Sequence, residues 1–172
     1  MPEDRAEKPS PWIARFATLV PPGPVLDVAA GSGRHSILFL ELGHPVIAID
    51  REIARLHPLA GRPGFEAREN DLEIGGDPLP GQTFAAVVVT NYLHRPLLPA
   101  LIAAVAPQGW LLYETFARGN EKHGKPSNPD FLLRPGELIE AVEGRLEIVA
   151  YEQMTDSEPR HAVRQRIAAR RP

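Results

Sequence analysis

The chain has 172 residues, of which 43% are hydrophobic and 24% charged, a net charge of −3 and no cysteine. Its length predicts a single domain over residues 1–172 with a core of its own. The missing cysteines exclude disulfides, thiolate zinc sites and cysteine nucleophiles, and the slightly acidic balance gives no overall field that would attract nucleic acid.

Residues 1–9 are polar, acidic and rich in proline, and we expect a loose amino-terminal arm there. This stretch is unlike a signal peptide, and no apolar run approaches the ~20 residues of a membrane span, so we expect a cytoplasmic protein without membrane association. Ser10 as N-cap and Pro11 at the first helical position then predict a short helix. Trp12 and Phe16 recur on its apolar side, which favours packing against a sheet.

The segment 25–50 has the pattern of a strand–turn–helix–strand unit. An apolar run over residues 25–29 stops at a turn of small residues, and a helical pattern beginning near Arg34 ends at Gly43. A second apolar run then ends in Asp50. This order predicts the first βαβ unit of a nucleotide-binding sheet.

The turn between the first strand and the helix has the chemistry of a ligand site. Gly31 and Gly33 have no Cβ, so the backbone can take positive φ and approach a ligand closely. The helix directs free N–H groups and a positive dipole end into the same space. Asp50, at the end of the neighbouring strand, can accept hydrogen bonds from the two hydroxyls of a ribose. The alternative is a parallel-sheet protein whose glycines serve only tight packing.

Further elements follow in alternation. We expect a weak helix at 52–59, an edge strand at 65–68, strands at 84–90 and 109–114, helices at 97–105 and 135–142, and strands at 146–151 and 162–169. The unbroken apolar strand 84–90 should lie at the centre of a parallel sheet, and the last two strands should form an antiparallel hairpin. Arg164 and Arg166 share one face of the final strand, which we interpret as solvated rather than as an RNA-binding patch.

Polar side chains gather where the central strand ends. Asn91 and His94 follow that strand at the point where the strand order of such sheets reverses and ligands bind. The long polar loop 115–134 leaves the next strand on the same side. We hypothesise that this loop is a lid with Asn120 and His123 facing the substrate; the alternative is a rigid surface loop.

The motif Asp27-x-Ala29-x-Gly31-x-Gly33 resembles motif I, D-x-G-x-G-x-G, of the class I S-adenosylmethionine (SAM) dependent methyltransferases, with alanine in place of the first glycine. A dinucleotide-dependent oxidoreductase would need a third glycine in the helix, which this chain lacks. The stretches 87–101 and 113–138 are similar to a small bacterial group related to tellurite-resistance methyltransferases.

The resemblance implies a Rossmann-like α/β fold: a seven-stranded, mostly parallel sheet with an antiparallel C-terminal strand and helices on both faces. It implies SAM as cofactor and methyl transfer to an unidentified acceptor, most simply a small molecule, with the amino-terminal helix as an alternative lid. Asn91-Tyr92-Leu93-His94 replaces the N-P-P-Y motif of amino-group DNA and protein methyltransferases. A non-catalytic SAM-binding module and an RNA or protein methyltransferase remain alternatives. No metal site is predicted.

The resemblance also implies a set of cofactor-binding residues: Asp27, Ala29, Gly31, Gly33, Asp50, Arg51, Asp71, Leu72 and Asn91. Asp71 would accept a hydrogen bond from the adenine amine, Leu72 would contact the ring, and Asn91 would hold the methionine ammonium. His94 is the first candidate for a general base because histidine titrates near neutral pH, and His123 and Glu114 are rivals. Replacing Asp50 with Ala is expected to weaken cofactor binding without changing the stability of the free protein.

Overall fold

The computed structural model describes residues 7–75 and 79–172. Seven strands form one sheet in the order β3-β2-β1-β4-β5-β7-β6. Their bounds are β1 Val25–Val28, β2 Val46–Asp50, β3 Phe65–Glu69, β4 Phe84–Thr90, β5 Val105–Phe116, β6 Glu147–Asp156 and β7 Ala162–Arg170. β7 runs antiparallel to both of its neighbours, and the pairs formed by β1–β5 are parallel. The predicted sheet is confirmed.

Helices cover both faces of this sheet. They are α1 Pro11–Ala17, α2 Arg34–Glu41, α3 Leu98–Ala103 and α4 Glu137–Val142, with 3₁₀ turns at Ala54–Leu59, Arg95–Leu97, Asn120–Lys122 and Pro129–Phe131. Along β4, Val88 packs with the α1 and α2 side chains, whereas Val87 packs with those of α3 and α4. Both valines are fully buried, as expected of a central parallel strand. Within the described ranges no helix has the length and apolarity to cross a membrane.

The amino-terminal helix forms as predicted. The Ser10 hydroxyl accepts hydrogen bonds from the backbone N–H groups of Trp12 and Ile13, which caps α1. The Trp12 indole donates to the carbonyl of Ile167 at 3.3 Å, so α1 packs on the sheet. Of the predicted loose arm, residues 1–6 lie outside the described residues. Glu7, by contrast, is held against the turn after β1, where the Ser32 hydroxyl donates to its carboxylate at 2.8 Å.

Several element bounds differ from the sequence expectation. The weak helix at 52–59 is a 3₁₀ helix at Ala54–Leu59, because Pro58 has no N–H to give. The helix expected at 97–105 ends at Ala103, and Val105 already pairs with β4 as the start of β5. The strand expected at 146–151 continues to Asp156, since β6 pairs with β7 along its whole length. Long-range pairing therefore extended both strands beyond their apolar runs.

Candidate functional site

The turn after β1 is held by the carboxylate at the end of β2. The N–H of Gly31 donates to Asp50 Oδ2 at 2.9 Å, and the N–H of Glu52 donates to Asp50 Oδ1 at 3.0 Å. Ala29 has φ 52° and Gly31 has φ 57°, so the turn needs positive φ even where alanine replaces the glycine of the resembling motif. Asp50 thus supports the turn, and these two bonds are a reason to expect that its removal also lowers the stability of the free protein, contrary to the expectation from the sequence.

Gly33 begins α2 in a left-handed conformation with φ 78°. A Cβ at this position would lie 2.7 Å from Leu59 Cδ1 and 2.9 Å from Leu56 Cδ2. These leucines belong to the 3₁₀ helix that follows β2 and are buried. Glycine here therefore permits both the turn and the close packing of the helix start.

Asp27 lies inside the fold rather than in an open cleft. Its side chain is buried, and the Ser36 hydroxyl of α2 donates to Asp27 Oδ2 at 2.6 Å. Burial raises the pKa of Asp27 to about 7, although the bond from Ser36 acts in the opposite direction. The acid of the motif therefore ties β1 to the first turn of α2.

Five predicted cofactor-binding residues meet at one cavity of about 330 Å³, called here the β2–β3 cavity. Its walls are formed by Ala29, Asp50, Arg51, Asn70, Asp71, Leu72, Glu73, Tyr92 and Phe131. Asp71 Oδ1 accepts the N–H of Glu73 at 3.0 Å, which fixes the loop after β3. Sequence reasoning missed Phe131, which is half-exposed. The signal that could have pointed to it is the presence of an aromatic residue in a mostly polar loop.

The two histidines among the three candidate bases have different surroundings. His94 follows β4, and its Nδ1 is 3.9 Å from a carboxylate oxygen of Glu73. Glu73 also accepts the Tyr92 hydroxyl at 3.4 Å, so this group borders the β2–β3 cavity. His123 is exposed and its ring stacks on that of His161, with centroids 5.9 Å apart. The fold does not bring the two histidines together.

A second cavity, of about 400 Å³, lies between α1, the start of α2 and the β6–β7 hairpin, and is called here the hairpin cavity. Its walls are formed by Ser10, Pro11, Trp12, Arg15, Arg34, Glu114, Glu152, Asp156, Glu158, Pro159, Arg164 and Arg166. Arg166 is 11% exposed and is ion-paired with Glu114, Glu152 and Asp156. Arg164 is 17% exposed. The prediction that these two arginines form a solvated face is wrong, because the pairing of β7 with β5 and β6 places them against the carboxylates of Glu114, Glu152 and Asp156.

Asn91, a predicted cofactor residue, directly follows β4 and has φ 54°. It contacts two residues that line the hairpin cavity. Its side-chain oxygen accepts a hydrogen bond from the Arg164 guanidinium, and its N–H donates to the carbonyl of Glu114 at 2.9 Å. Glu114, a rival candidate base, is buried and bound to Arg166. A base role would require Glu114 to leave that ion pair.

The long loop is anchored rather than free. Asn120 is buried; its amide donates to the carbonyl of Pro126 at 2.9 Å, and its side-chain oxygen accepts the N–H of Val163 at 3.1 Å. Arg95 binds Glu137 at 2.6 Å and donates to the carbonyl of Leu132 at 2.9 Å. The Asn120 side chain is thus used at both of its polar atoms, once within the loop at Pro126 and once against β7 at Val163, so it does not face a substrate as hypothesised. The contacts favour the alternative of a rigid loop.

His35, which sequence reasoning missed, connects α1 with α2. The N–H of Ser10 donates to His35 Nε2 at 3.0 Å, and His35 Nδ1 lies 3.5 Å from the Thr90 hydroxyl. Burial lowers the pKa of His35 to about 3, with a further contribution from Arg34, so the ring is neutral at pH 7. This neutral ring holds the cap of α1 beside the end of β4.

Comparison with known proteins supports the fold. No family model matches the sequence, and no curated protein matches it. Among solved structures, TehB from Haemophilus influenzae superposes with a TM-score of 0.71 at 20% identity, covering 93% of this chain and 61% of that chain. The chain thus spans less than two thirds of TehB.

Two further structures were crystallised with S-adenosylhomocysteine. The 1,6-didemethyltoxoflavin-N1-methyltransferase of Burkholderia thailandensis has a TM-score of 0.67 at 22% identity, covering 92% of this chain and 77% of that chain. The glycopeptide N-methyltransferase MtfA has a TM-score of 0.66 at 20% identity, covering 99% of this chain and 90% of that chain. Together with the sheet order, these likenesses show that the chain has the Rossmann-like fold of class I SAM-dependent methyltransferases.

Proposed function

We propose that this protein is a SAM-dependent methyltransferase. The observation that carries the proposal is the β2–β3 cavity, which combines a strand-end carboxylate, Asp50, with the acidic and apolar pair Asp71 and Leu72. A carboxylate offers about four acceptor sites, and Asp50 uses one on each oxygen for backbone N–H groups. Sites therefore remain for the two hydroxyls of a ribose. The acidic and apolar lining of the cavity supports a nucleoside, which the cofactor contains, as its ligand.

Four of the predicted cofactor residues bind the cofactor through their side chains or backbone in this proposal. Asp50 binds the ribose, Asp71 accepts the adenine amine, Leu72 contacts the ring, and Asn91 holds the amino group at the end of β4. When bound, SAM supplies a methyl group already activated by its positively charged sulfur. The protein's main task is then to hold the acceptor in line, which can account for most of the acceleration.

A general base is needed only for an acceptor that must lose a proton. We keep His94 as the proposed base, since it follows β4 and lies beside Glu73, which lines the β2–β3 cavity. His123 is on the outer surface of the loop, stacked on His161, and would need the loop to rearrange. A His94→Ala variant should lose turnover more than SAM affinity if this role is right.

We propose a small molecule as the acceptor. The support is the hairpin cavity, which is large enough for one, and the shared fold with an N1-methyltransferase and a glycopeptide N-methyltransferase. The resemblance to the small tellurite-resistance-related group is supported by the likeness to TehB in fold alone. A non-catalytic SAM-binding module is the second candidate, since methyl transfer requires few protein groups.

The binding test is calorimetry with S-adenosylhomocysteine and with NAD. We expect micromolar affinity for the first and none for the second. Asp50→Ala should weaken S-adenosylhomocysteine binding about a hundredfold, since two charge-assisted bonds of ~1.5–3 kcal/mol each are affected. The matched control is Glu52→Ala, an exposed acid two residues away. Tighter binding of NAD, or equal effects of the two variants, would contradict the proposal.

Catalysis is tested separately from binding. Purified protein is incubated with SAM carrying a labelled methyl group and with cell extract divided into small-molecule and macromolecule fractions. Label in the small-molecule fraction supports the proposed acceptor class, and label in RNA or protein supports the alternatives. Binding of SAM with no transfer to any fraction would favour the non-catalytic module.

A further inference from the structure

We infer that Arg164 and Arg34 form a binding site for a carboxylate group of a bound substrate in the hairpin cavity. This inference rests on the proposed methyl transfer. It concerns two residues that are neither among the four named positions of the motif nor in the lining of the β2–β3 cavity. The argument depends on how the charges around this cavity are distributed.

Three of the four carboxylates that line the cavity are ion-paired with Arg166. This arginine uses Nε for Glu114, Nη1 for Glu152 and Nη2 for Asp156. Burial on its own would lower the pKa of Arg166, but the bonds to Asp156 and Glu114 raise it above the ordinary arginine value. All three guanidinium nitrogens of Arg166 bond protein carboxylates, so Arg166 has no free pair of N–H groups with which to bind a ligand carboxylate.

Arg164 is buried to a similar extent but is incompletely paired. Its Nε lies 3.4 Å from Asp156, an acid that it shares with Arg166. Its Nη1 donates to the neutral amide of Asn91, and its guanidinium lies over the Phe116 ring at 4.2 Å. Burial lowers the pKa of Arg164; Glu114 and Asp156 act in the opposite direction without reversing the shift, and the cations Arg166 and Arg34 add to the lowering. A buried cation in this state is stabilised by a further anion.

Arg34 supplies a second cation from the opposite wall. It is the first residue of α2, and its guanidinium donates to the carbonyl of Lys8 at 3.0 Å. Across residues 7–75 and 79–172 no carboxylate is ion-paired with Arg34, and it is one of the cations that lower the pKa of Arg164. Guanidinium groups bind carboxylates through paired N–H donors, so two arginines facing one cavity favour this ligand group.

The position of Arg164 connects this site to the proposed reaction. Because Arg164 bonds Asn91, a carboxylate bound to it would lie at the carboxyl end of β4, where ligands of open α/β sheets bind. Such a carboxylate has two possible sources. It belongs either to the amino-acid end of the cofactor or to the methyl acceptor.

The experiment compares wild-type protein with Arg164→Gln and Arg34→Gln by calorimetry. The first pair of probes is S-adenosylhomocysteine and 5′-methylthioadenosine, which has the same nucleoside thioether but no amino-acid group. The second pair is benzoate and benzamide, titrated into free protein and into protein saturated with S-adenosylhomocysteine. The control variants are Arg145→Gln, exposed in the turn between α4 and β6, and Glu158→Gln, an acid at the rim of the cavity.

Two results support the inference and identify the source. If the carboxylate is the cofactor's, both arginine variants bind S-adenosylhomocysteine about tenfold or more weakly than the wild type does. Their affinity for 5′-methylthioadenosine is unchanged. If it is the acceptor's, S-adenosylhomocysteine is unaffected, and benzoate binds the saturated wild type at least tenfold more tightly than benzamide, a preference that both variants lose. Glu158→Gln should not weaken either anion.

The inference is overturned if folded Arg164→Gln and Arg34→Gln bind all four probes as the wild type does, or if Arg145→Gln has the same effect. Should Arg164→Gln fail to fold, Arg34→Gln decides the question, since its described side-chain bond is to one backbone carbonyl. Failure of wild-type protein to bind either nucleoside would refute the proposed function instead. Benzoate binding to free protein would still test the carboxylate site in that case.

Discussion

The two cavities at the carboxyl edge of the sheet are built in different ways. The β2–β3 cavity depends on backbone conformation: a turn of small residues with positive φ, held by one carboxylate that lies 19 residues away along the chain. The hairpin cavity depends on long charged side chains from α1, α2 and the last three strands, with ion pairs such as Glu114–Arg166 that span 52 residues. The first cavity is formed by residues close in the sequence, and the second by residues that only long-range packing brings together.

The largest effect should come from the hairpin side. Arg166→Met leaves the buried Glu114 carboxylate without its main partner, which should lower the free energy of unfolding by about 3–5 kcal/mol. Urea denaturation measures it. The control is Arg170→Met on the same strand, whose ion pair with Glu147 is exposed and should contribute about 1 kcal/mol or less. Equal losses in the two variants would show that burial of the network does not matter.

The next effect concerns the turn. Gly33→Ala adds a Cβ that overlaps Leu56 and Leu59 at a positive φ, so we expect a loss of about 2–4 kcal/mol from strain and overpacking together. Gly61→Ala has a similar φ of +81° with no atom within 4 Å of the added Cβ, and should lose only the ~1–2 kcal/mol of backbone strain. Thermal unfolding of the two variants distinguishes these cases; matching losses would remove the packing role.

A pH-dependent effect should follow from Asp27. Its pKa is about 7 in the folded protein against 3.8 ordinarily, so between these values the unfolded chain releases a proton that the folded protein keeps. Stability therefore falls as pH rises from about 4 to 7, by ~1.4 kcal/mol per pH unit. Asp27→Asn lacks this slope, and its stability relative to wild type should improve by about 2 kcal/mol between pH 5 and pH 7. A constant difference across that range would mean that Asp27 is ionised throughout.

The smallest effect is expected at Ala29. Glycine would relieve about 1 kcal/mol of left-handed strain at φ 52° but would add a similar freedom to the unfolded chain, so Ala29→Gly should change stability by less than about 1 kcal/mol. Ala30→Gly, at a neighbouring buried position without positive φ, should be destabilising by about 0.5–1 kcal/mol. A large loss in Ala29→Gly would show that its methyl group, not its backbone, is required.

The elements that form the β2–β3 cavity could be predicted from the sequence. The glycine turn, the acid after β2 and the acid after β3 lie in one short segment, and each follows a strand whose direction is set by the parallel βαβ arrangement. The carboxyl ends of parallel neighbours must meet at one edge of the sheet, so Ala29, Asp50 and Asp71 reach one cavity as expected. The apolar run of β4 likewise determined its central place.

The roles of the residues around the hairpin cavity could be read only from the tertiary structure. Nothing in the alternation of β7 shows that Arg164 and Arg166 turn toward carboxylates, because their partners come from β5 and β6. Asn120 has the sequence context of a mobile polar loop, yet its hydrogen bond to Val163 forms only when the loop meets β7. A charge or an amide takes its role from whatever faces it, and that depends on pairing across the sheet, whereas glycine and a strand-end acid act through the local backbone.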